Sequence, residues 1–290
     1  MIKEFAIEPN VINNWRDCRY FLDQMGVCKG RVLSEYPENW KKLVFESLAG
    51  CKPKEKSRIV EYLRTLAPPT LYRRKRAYWD DGRPWLMNAI SEHQINPFHA
   101  IISNEMTDEE HNVIEAESCT TSSAPKWQIE TSQRVERNPE KMANSIDWLL
   151  LHSRHIILID RNFHFDRWTN PLVEILKRIG QSRNVVLVEY HISLHEHMQE
   201  SYFMSEIRRR VERYVPRYCK LEFVNRERKE LHDRYVLTDV GAVQFGIGLD
   251  EYIEHLDQPT HDVIVLLGDK LKEELWEEHV GKTPFISIEG

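Results

Sequence analysis

Short apolar strands alternate with helices over residues 139–280, and this alternation limits the folds that are open to the chain. Residues 185–190 read Val-Val-Leu-Val-Glu-Tyr, a pattern typical of a strand buried on both faces. Asn138 and Pro139 are placed to begin one helix, Pro171 lies near the start of another, and Gly180 is placed to end it. Strands that alternate with helices and then form a hairpin predict an α/β fold, with a mixed sheet flanked by helices.

The first 68 residues have a different pattern. Apolar residues recur at helical spacing in segments 11–25, 40–48 and 59–66, and Pro68-Pro69 breaks the third segment. We therefore predict an N-terminal helical region over residues 1–68 and a second domain over residues 69–290. Within the second domain, residues 98–102 and 113–117 are predicted to be strands.

Composition excludes several classes of protein. There is no run of about 18 apolar residues, so we expect no membrane span, and the N-terminus lacks the apolar core of a signal peptide. The five cysteines are scattered without C-x2-C spacing, which indicates a cytoplasmic setting and no zinc site. The net charge of −6 argues against a basic coat for nucleic acid but is compatible with a local basic groove.

The segment 232–248 contains the pattern H-x-R-x4-D-x6-G-x-G, formed by His232, Arg234, Asp239, Gly246 and Gly248. On an extended strand, side chains two residues apart point to the same face. A histidine can attack phosphorus and a guanidinium can bind two phosphate oxygens, so the pair suits phosphoryl chemistry. Glycines at the end of the second strand allow the backbone to approach a ligand closely.

These residues resemble the phospholipase D superfamily, whose signature is H-x-K-x4-D followed by a glycine element. Arginine stands here where the family has lysine. The strings Leu-His-Asp-Arg at 231–234 and Gly-Ile-Gly-Leu-Asp at 246–250 are similar to a subgroup that includes the C-terminal domain of some microtubule-interacting-and-trafficking proteins. Upstream, Ile-Ile-Leu-Ile-Asp at 156–160 resembles the strand of that family that ends in an acidic residue.

The resemblance implies a phospholipase D-like domain that acts as a metal-independent phosphodiesterase without a cofactor. His232 would form a phosphohistidine, Arg234 would hold the phosphate, Asp239 would orient the histidine, and Gly246 and Gly248 would bring backbone amides to the phosphate. The chain has a single motif, so the resemblance also implies a homodimer in which the second His232 protonates the leaving group.

Nucleic acid is the expected substrate, since nothing in the chain resembles a membrane anchor, and such a nuclease would suit prokaryotic antiviral defence. One alternative is a non-catalytic module that binds nucleic acid or phosphorylated headgroups, with the arginine marking the loss of chemistry. Another is an interaction subunit in which residues 1–68 dock on a partner protein.

Two further groups of residues stay open at this level. His191 and His195 follow the buried strand, where they could contact phosphate, bind a metal, or be ordinary surface histidines. A set of basic residues could line a groove for a polyanion or could form ion pairs on a solvated surface, and it comprises Arg209, Arg213, Arg228 and Lys229.

Overall fold

A computed structural model describes residues 1–66, 69–73, 75–105, 107–121, 123–195, 197–254 and 256–290. It divides the chain into two compact units, Ile2–Glu130 and Thr131–Gly290, with Met1 grouped with the second. No helix among these residues is long and apolar enough to cross a membrane.

The unit Ile2–Glu130 contains a parallel sheet of five strands in the order β3-β2-β1-β4-β5. The strands are β1 (Lys3–Ile7), β2 (Arg31–Ser34), β3 (Leu71–Tyr72), β4 (Ala100–Ser103) and β5 (Val113–Glu115). The helices are α1 (Trp15–Asp23), α2 (Trp40–Ser47), α3 (Pro53–Thr65), α4 (Trp85–Ile95) and α5 (Ala116–Thr120).

Both faces of this sheet are buried, because successive side chains of a strand point to opposite faces. Phe5 and Ile7 of β1 pack in the larger core with residues of α1, α2 and α3. Ala6 packs on the other face with Leu86 and Ala89 of α4. The unit is therefore a three-layer α/β structure.

This arrangement corrects the predicted helical region over residues 1–68 and its boundary. The three predicted helices are present as α1, α2 and α3, but the same stretch also contains β1 and β2. These strands pair with β3 and β4, which lie beyond residue 68, so the division falls after Glu130 instead. Residues 67 and 68 themselves lie outside the described residues. Strands of five and four residues are too short to show a periodic pattern in the sequence.

The unit Thr131–Gly290 contains a mixed sheet of eight strands in the order β13-β9-β8-β7-β10-β11-β12-β6. The strands are β6 (Ser132–Glu136), β7 (His155–Ile159), β8 (Leu187–Ile192), β9 (Lys220–Asn225), β10 (Arg234–Thr238), β11 (Ala242–Phe245), β12 (His261–Leu266) and β13 (Ile286–Glu289). The helices are α6 (Pro139–Ser145), α7 (Asp147–His152), α8 (Phe165–Ser182), α9 (Glu200–Val211) and α10 (Asp269–His279).

In this sheet β7, β8 and β9 are parallel to one another, and the other neighbouring pairs are antiparallel. The predicted α/β fold with a mixed sheet flanked by helices is confirmed. Asn138 caps α6 as predicted, since its side chain accepts hydrogen bonds from the amides of Glu140 and Lys141 at 3.1 and 3.2 Å. Helix α8 runs two residues past Gly180 to Ser182.

The two faces of the eight-stranded sheet pack against different helices. Ile157 of β7 and Leu237 of β10 share a core with Trp276 of α10. On the opposite face, the Trp168 indole of α8 donates a hydrogen bond to Asp160, the residue that follows β7. The side of the sheet to which a residue points therefore decides which helix it meets.

Candidate phosphate-binding site at one edge of the eight-stranded sheet

Residues of the predicted motif meet the ends of three parallel strands at one edge of the sheet. The carboxyl ends of β7, β8 and β9 lie there, and the amino end of β10 reaches the same edge because β10 is antiparallel to β7. Open α/β sheets bind ligands outside the carboxyl ends of their parallel strands. This carboxyl edge therefore holds His232 and Arg234 from one side and Asp160 and Arg161 from the other.

Arg234 is the first residue of β10 and is partly exposed. Its Nε atom is buried, and none of the described residues accepts a hydrogen bond from it. The Nε atom of Arg161, in the loop after β7, is in the same condition. Buried guanidinium donors normally have partners, so the carboxyl edge carries two cationic groups with unused capacity for an anion.

Asp160 is the buried acid beside this edge, with a relative exposure of 1%. Its carboxylate accepts hydrogen bonds from the Leu249 amide at 2.9 Å, the Asn162 amide at 3.1 Å and the Trp168 indole at 3.1 Å. Burial raises the pKa of Asp160, while these hydrogen bonds and the charge of Arg234 act in the opposite direction. Asp160 thus ties the end of β7 to α8 and to the loop of residues 246–250 after β11, which we call the glycine loop. The positive charge of Arg234 also interacts with the Asp160 carboxylate.

The glycine loop after β11 packs on carboxylates of the protein itself. The Ile247 and Gly248 amides donate to Asp262 at 3.0 and 3.3 Å, and the Gly246 amide donates to the Val263 carbonyl at 3.1 Å. A Cβ atom at Gly248 would lie 2.6 Å from Asp250 Oδ1, which explains the requirement for glycine.

These contacts correct the predicted role of the glycine amides. The amides of Gly246 and Gly248 are already used inside the protein and are not directed at a phosphate. The two glycines shape the loop instead. The loop amides are received by Asp262 and Asp160, which lie apart in the sequence, and nothing in the motif points to Asp262.

His232 and Asp239 are far apart, which corrects the predicted histidine–aspartate pair. His232 lies just before β10 and is exposed, and it makes no hydrogen bond, ion pair or ring contact with any described residue. Asp239 follows the opposite end of β10 and accepts a hydrogen bond from the Arg154 amide at 2.9 Å. The strand β10, Arg234–Thr238, lies between them, and at about 3.3 Å per residue its two ends are about 13 Å apart, so Asp239 cannot orient His232.

His191 is also not available to a phosphate. It is fully buried on β8, and its Nε2 atom lies 3.0 Å from Glu189 Oε2. The other oxygen of Glu189 lies 2.6 Å from His155 Nε2, and His279 of α10 packs 5.5 Å from the His191 ring. This cluster faces α10, whereas Asp160 faces α8.

Burial and hydrogen bonding shift the pKa values of three side chains in this cluster, His191, Glu189 and His279. Burial lowers the pKa of His191 and brings that of His279 to about 4. Burial alone would raise the pKa of Glu189, but the hydrogen bonds from His155 and His191 outweigh it and lower the pKa to about 2.

His195 lies beyond β8 at the carboxyl edge and is exposed. With His197, Met198 and Tyr202 it lines an open depression of about 480 Å³. No group of three metal-binding side chains occurs in the part of the chain that the structure describes. The exposure of His195 at this edge fits both a contact to phosphate and an ordinary surface histidine.

The four basic residues predicted to bind nucleic acid separate into two groups. Arg209 is paired with Glu206 at 2.7 Å, Arg213 donates to the Tyr214 hydroxyl at 2.7 Å, and Lys229 is paired with Glu227 at 2.7 Å. Helix α9 leads from the carboxyl end of β8 to the amino end of β9, so Arg209 and Arg213 lie toward the opposite edge of the sheet.

Arg228, by contrast, follows the carboxyl end of β9, is exposed, and has no side-chain partner among the described residues. The alternative of an ion-paired, solvated surface thus fits Arg209 and Lys229, and Arg213 is held by Tyr214. Of the four, only Arg228 has no side-chain partner among the described residues.

No family model matches the chain, and no curated protein matches it. Among solved structures, the chain is similar to TrmBL2, an archaeal chromatin protein described as showing a novel mode of DNA binding. The sequence identity is 10%, the match covers 57% of this chain and 55% of that chain, and the TM-score is 0.29. The matched part spans about half the length of TrmBL2.

Proposed function

We propose that the unit Thr131–Gly290 is a phospholipase D-like phosphodiesterase that binds a phosphodiester at the carboxyl edge and cleaves it without a metal ion. One observation carries this proposal. His232 is exposed and without a partner, two residues from Arg234, whose buried Nε atom also has no acceptor. A histidine without a partner and a guanidinium with an unused donor, both at the edge where such sheets bind ligands, are the groups that phosphoryl transfer needs.

The proposed reaction has two steps. A ring nitrogen of His232 attacks phosphorus, the bond to the leaving oxygen breaks, and a phosphohistidine forms. Water then attacks phosphorus, the bond between phosphorus and the His232 nitrogen breaks, and the proton of the water passes to the group that protonated the leaving oxygen. Arg234 neutralises charge on the non-bridging oxygens during both steps, and Arg161 lies at the same edge to assist. Asp239 takes no part, because it lies at the other end of β10.

Protonation of the leaving oxygen requires a second acid. One histidine cannot hold the phosphoryl group and donate this proton in the same step. We therefore propose a homodimer in which His232 of a second copy supplies the proton, as a two-fold axis near the carboxyl edge would allow.

Nucleic acid is the proposed substrate, and the cytoplasm the proposed compartment. Arg228 offers an unpaired cation to a polyanionic backbone near the site. None of the five cysteines, all of them described residues, forms a disulfide, which suits a reducing compartment. Prokaryotic antiviral defence is the context that we propose for such a nuclease.

A second candidate is a phosphate-binding module without catalysis. Two observations favour it: arginine replaces the lysine of the resembled family, and no described residue holds His232 in position. Docking on a partner protein also stays a hypothesis, and it now concerns the whole unit Ile2–Glu130 and not residues 1–68 alone.

One experiment separates cleavage from binding. Labelled single- and double-stranded DNA and RNA are incubated with the protein in EDTA, and cleavage and affinity are measured at one salt concentration. We expect cleavage that survives EDTA and a particle mass of two chains by light scattering. Binding without cleavage would favour the second candidate, and cleavage that returns only with added magnesium would overturn the proposed mechanism.

Arg228→Gln and Arg209→Gln form a matched pair for the nucleic-acid part of the proposal. Arg228→Gln should weaken binding and lower its salt dependence, since it removes an unpaired cation near the site. Arg209→Gln should change neither, because Arg209 is paired with Glu206 away from the site.

A further inference from the structure

The five-stranded sheet of the unit Ile2–Glu130 reverses its strand order at β1. From β1 the chain adds β2 and β3 on one side, and it then adds β4 and β5 on the other. Open parallel sheets bind ligands in the crevice at such a reversal, outside the carboxyl ends of the strands. This position, between the ends of β1 and β4, is independent of the candidate phosphate-binding site.

A cavity of about 660 Å³ opens beside this reversal. Its walls come from α1, from the residue that follows β4, and from α5, and they include Arg16, Asp17, Tyr20, Asn104, Glu117 and Thr120. Small-molecule sites typically measure about 300–1,000 Å³ and combine apolar walls with a few polar groups. The cavity fits that description in size, composition and place in the fold.

Hydrogen bonds between the strand ends hold Asn104, a residue of the cavity wall, in place. Glu8, which follows β1, accepts a hydrogen bond from the Ser103 hydroxyl of β4 at 2.6 Å. The Asn104 side chain donates to the Asn10 carbonyl at 3.1 Å. These bonds tie the end of β1 to the end of β4, so the cavity is formed without a ligand.

Two groups in the wall are free to bind. Glu117 is exposed, and its carboxylate has no partner among the described residues. Arg16 is 89% exposed at its side chain, and among the described residues its guanidinium pairs only with the neighbouring Asp17, at 3.0 Å. The Tyr20 hydroxyl donates to the Cys119 carbonyl at 2.8 Å, which fixes a partly exposed aromatic ring in the wall.

The amino end of α1 does not favour a phosphate group. Asn14 caps the helix by accepting from the Asp17 amide at 3.0 Å, and the Asp17 carboxylate lies in the first turn. An acid there already complements the helix dipole, so a phosphate in this cavity would rely on the Arg16 side chain and not on the helix end. Recognition in this cavity therefore depends on the aromatic ring and on the unpartnered carboxylate.

We propose that this cavity binds a ribonucleoside moiety. The Tyr20 ring offers a surface against which a base packs, and Asn104 offers an amide next to it. The Glu117 carboxylate accepts hydrogen bonds from the two vicinal hydroxyls of the ribose, as acidic residues do in other doubly wound folds. The moiety could come from a free nucleoside or from a 5′-nucleotide, whose phosphate would meet Arg16.

Isothermal titration of the full chain tests this inference. The probes are adenosine, guanosine, cytidine, uridine, their 5′-monophosphates and the 2′-deoxynucleosides. We expect at least one ribonucleoside or ribonucleotide to bind, and its 2′-deoxy form to bind about tenfold more weakly, because a hydrogen bond to a charged group is lost. Arg16→Gln separates the two sources, since it should weaken only the 5′-monophosphate.

Glu117→Gln should cause a loss of about tenfold for the ribose form and little change for the deoxy form. Glu110→Gln, an exposed glutamate outside the cavity wall, should leave affinity unchanged. His232→Ala should also bind normally, so failure of the nuclease proposal would leave this result intact. The inference is overturned if no probe binds at millimolar concentration, or if Glu117→Gln and the 2′-deoxy forms bind as tightly as their references.

Discussion

Removing the Asp160 carboxylate should destabilise the unit Thr131–Gly290 by about 3 kcal/mol. In Asp160→Ala, the Leu249 amide and the Trp168 indole lose acceptors that lie 2.9 and 3.1 Å away, and both residues are buried. Each buried donor left without a partner costs about 1–3 kcal/mol. The substitution also removes the cost of burying the charged Asp160 carboxylate, which offsets part of the loss from the two unpaired donors and leaves a net loss of about 3 kcal/mol.

Urea denaturation followed by tryptophan fluorescence measures this loss, and hydrogen exchange at the Leu249 amide reports it locally. A loss of this size corresponds to a fall in Tm of about 6–12 °C for a domain of this length. Asp166→Ala is the control, because Asp166 is 83% exposed and pairs with Arg210 at the surface, so its removal should cost under about 0.5 kcal/mol. Equal stability of Asp160→Ala and the control, with unchanged exchange at Leu249, would refute the reasoning.

Two further predictions concern pH and the motif. The pKa of His279 falls from 6.5 to about 4 on folding, so the unfolded chain binds more protons between these values and stability should decline as pH falls through that range. The pKa of Glu189 is lowered from 4.5 to about 2 on folding, so the decline in stability should continue to lower pH. When the midpoint of urea unfolding is plotted against pH, His279→Asn should flatten the curve between pH 4 and 6.5. Asp239→Asn should leave cleavage within about twofold of wild type in a single-turnover assay, because Asp239 lies far from His232; a loss near that of a catalytic residue would contradict the geometry.

The sequence predicts the unit Thr131–Gly290 better than the unit Ile2–Glu130, for a physical reason. The strand predicted over residues 185–190 is β8, and long helices such as α8 display full periods of their apolar pattern. The strands β1, β2 and β3 have five, four and two residues, and each pairs with a strand that is distant in the sequence. A segment of two to five residues is too short to show a hydrophobic period. Parallel pairing also leaves no hairpin turn that the sequence could reveal.

The candidate site shows the same limit. His232 and Arg234 stay at the same end of β10 because only Asp233 separates them in the chain. Asp239 does not, since the intervening residues form an extended strand that separates its two ends. Asp160 could be found from the sequence only as the end of the strand resembling that of the phospholipase D superfamily. The hydrogen bond from the Leu249 amide of the glycine loop to Asp160 depends on strand order, which no local pattern contains.

Trapping the covalent intermediate tests the central proposal most directly. The protein is mixed with substrate carrying a labelled phosphate in EDTA, quenched in denaturant at alkaline pH, and examined for label bound to protein. The proposal predicts label on the wild-type chain that is stable to base and lost in acid, as expected of a phosphohistidine, and that maps to the peptide containing His232. Label should be absent from His232→Ala, while the control His261→Ala keeps it. Cleavage without any bound label, or label that persists in His232→Ala, would contradict the proposal.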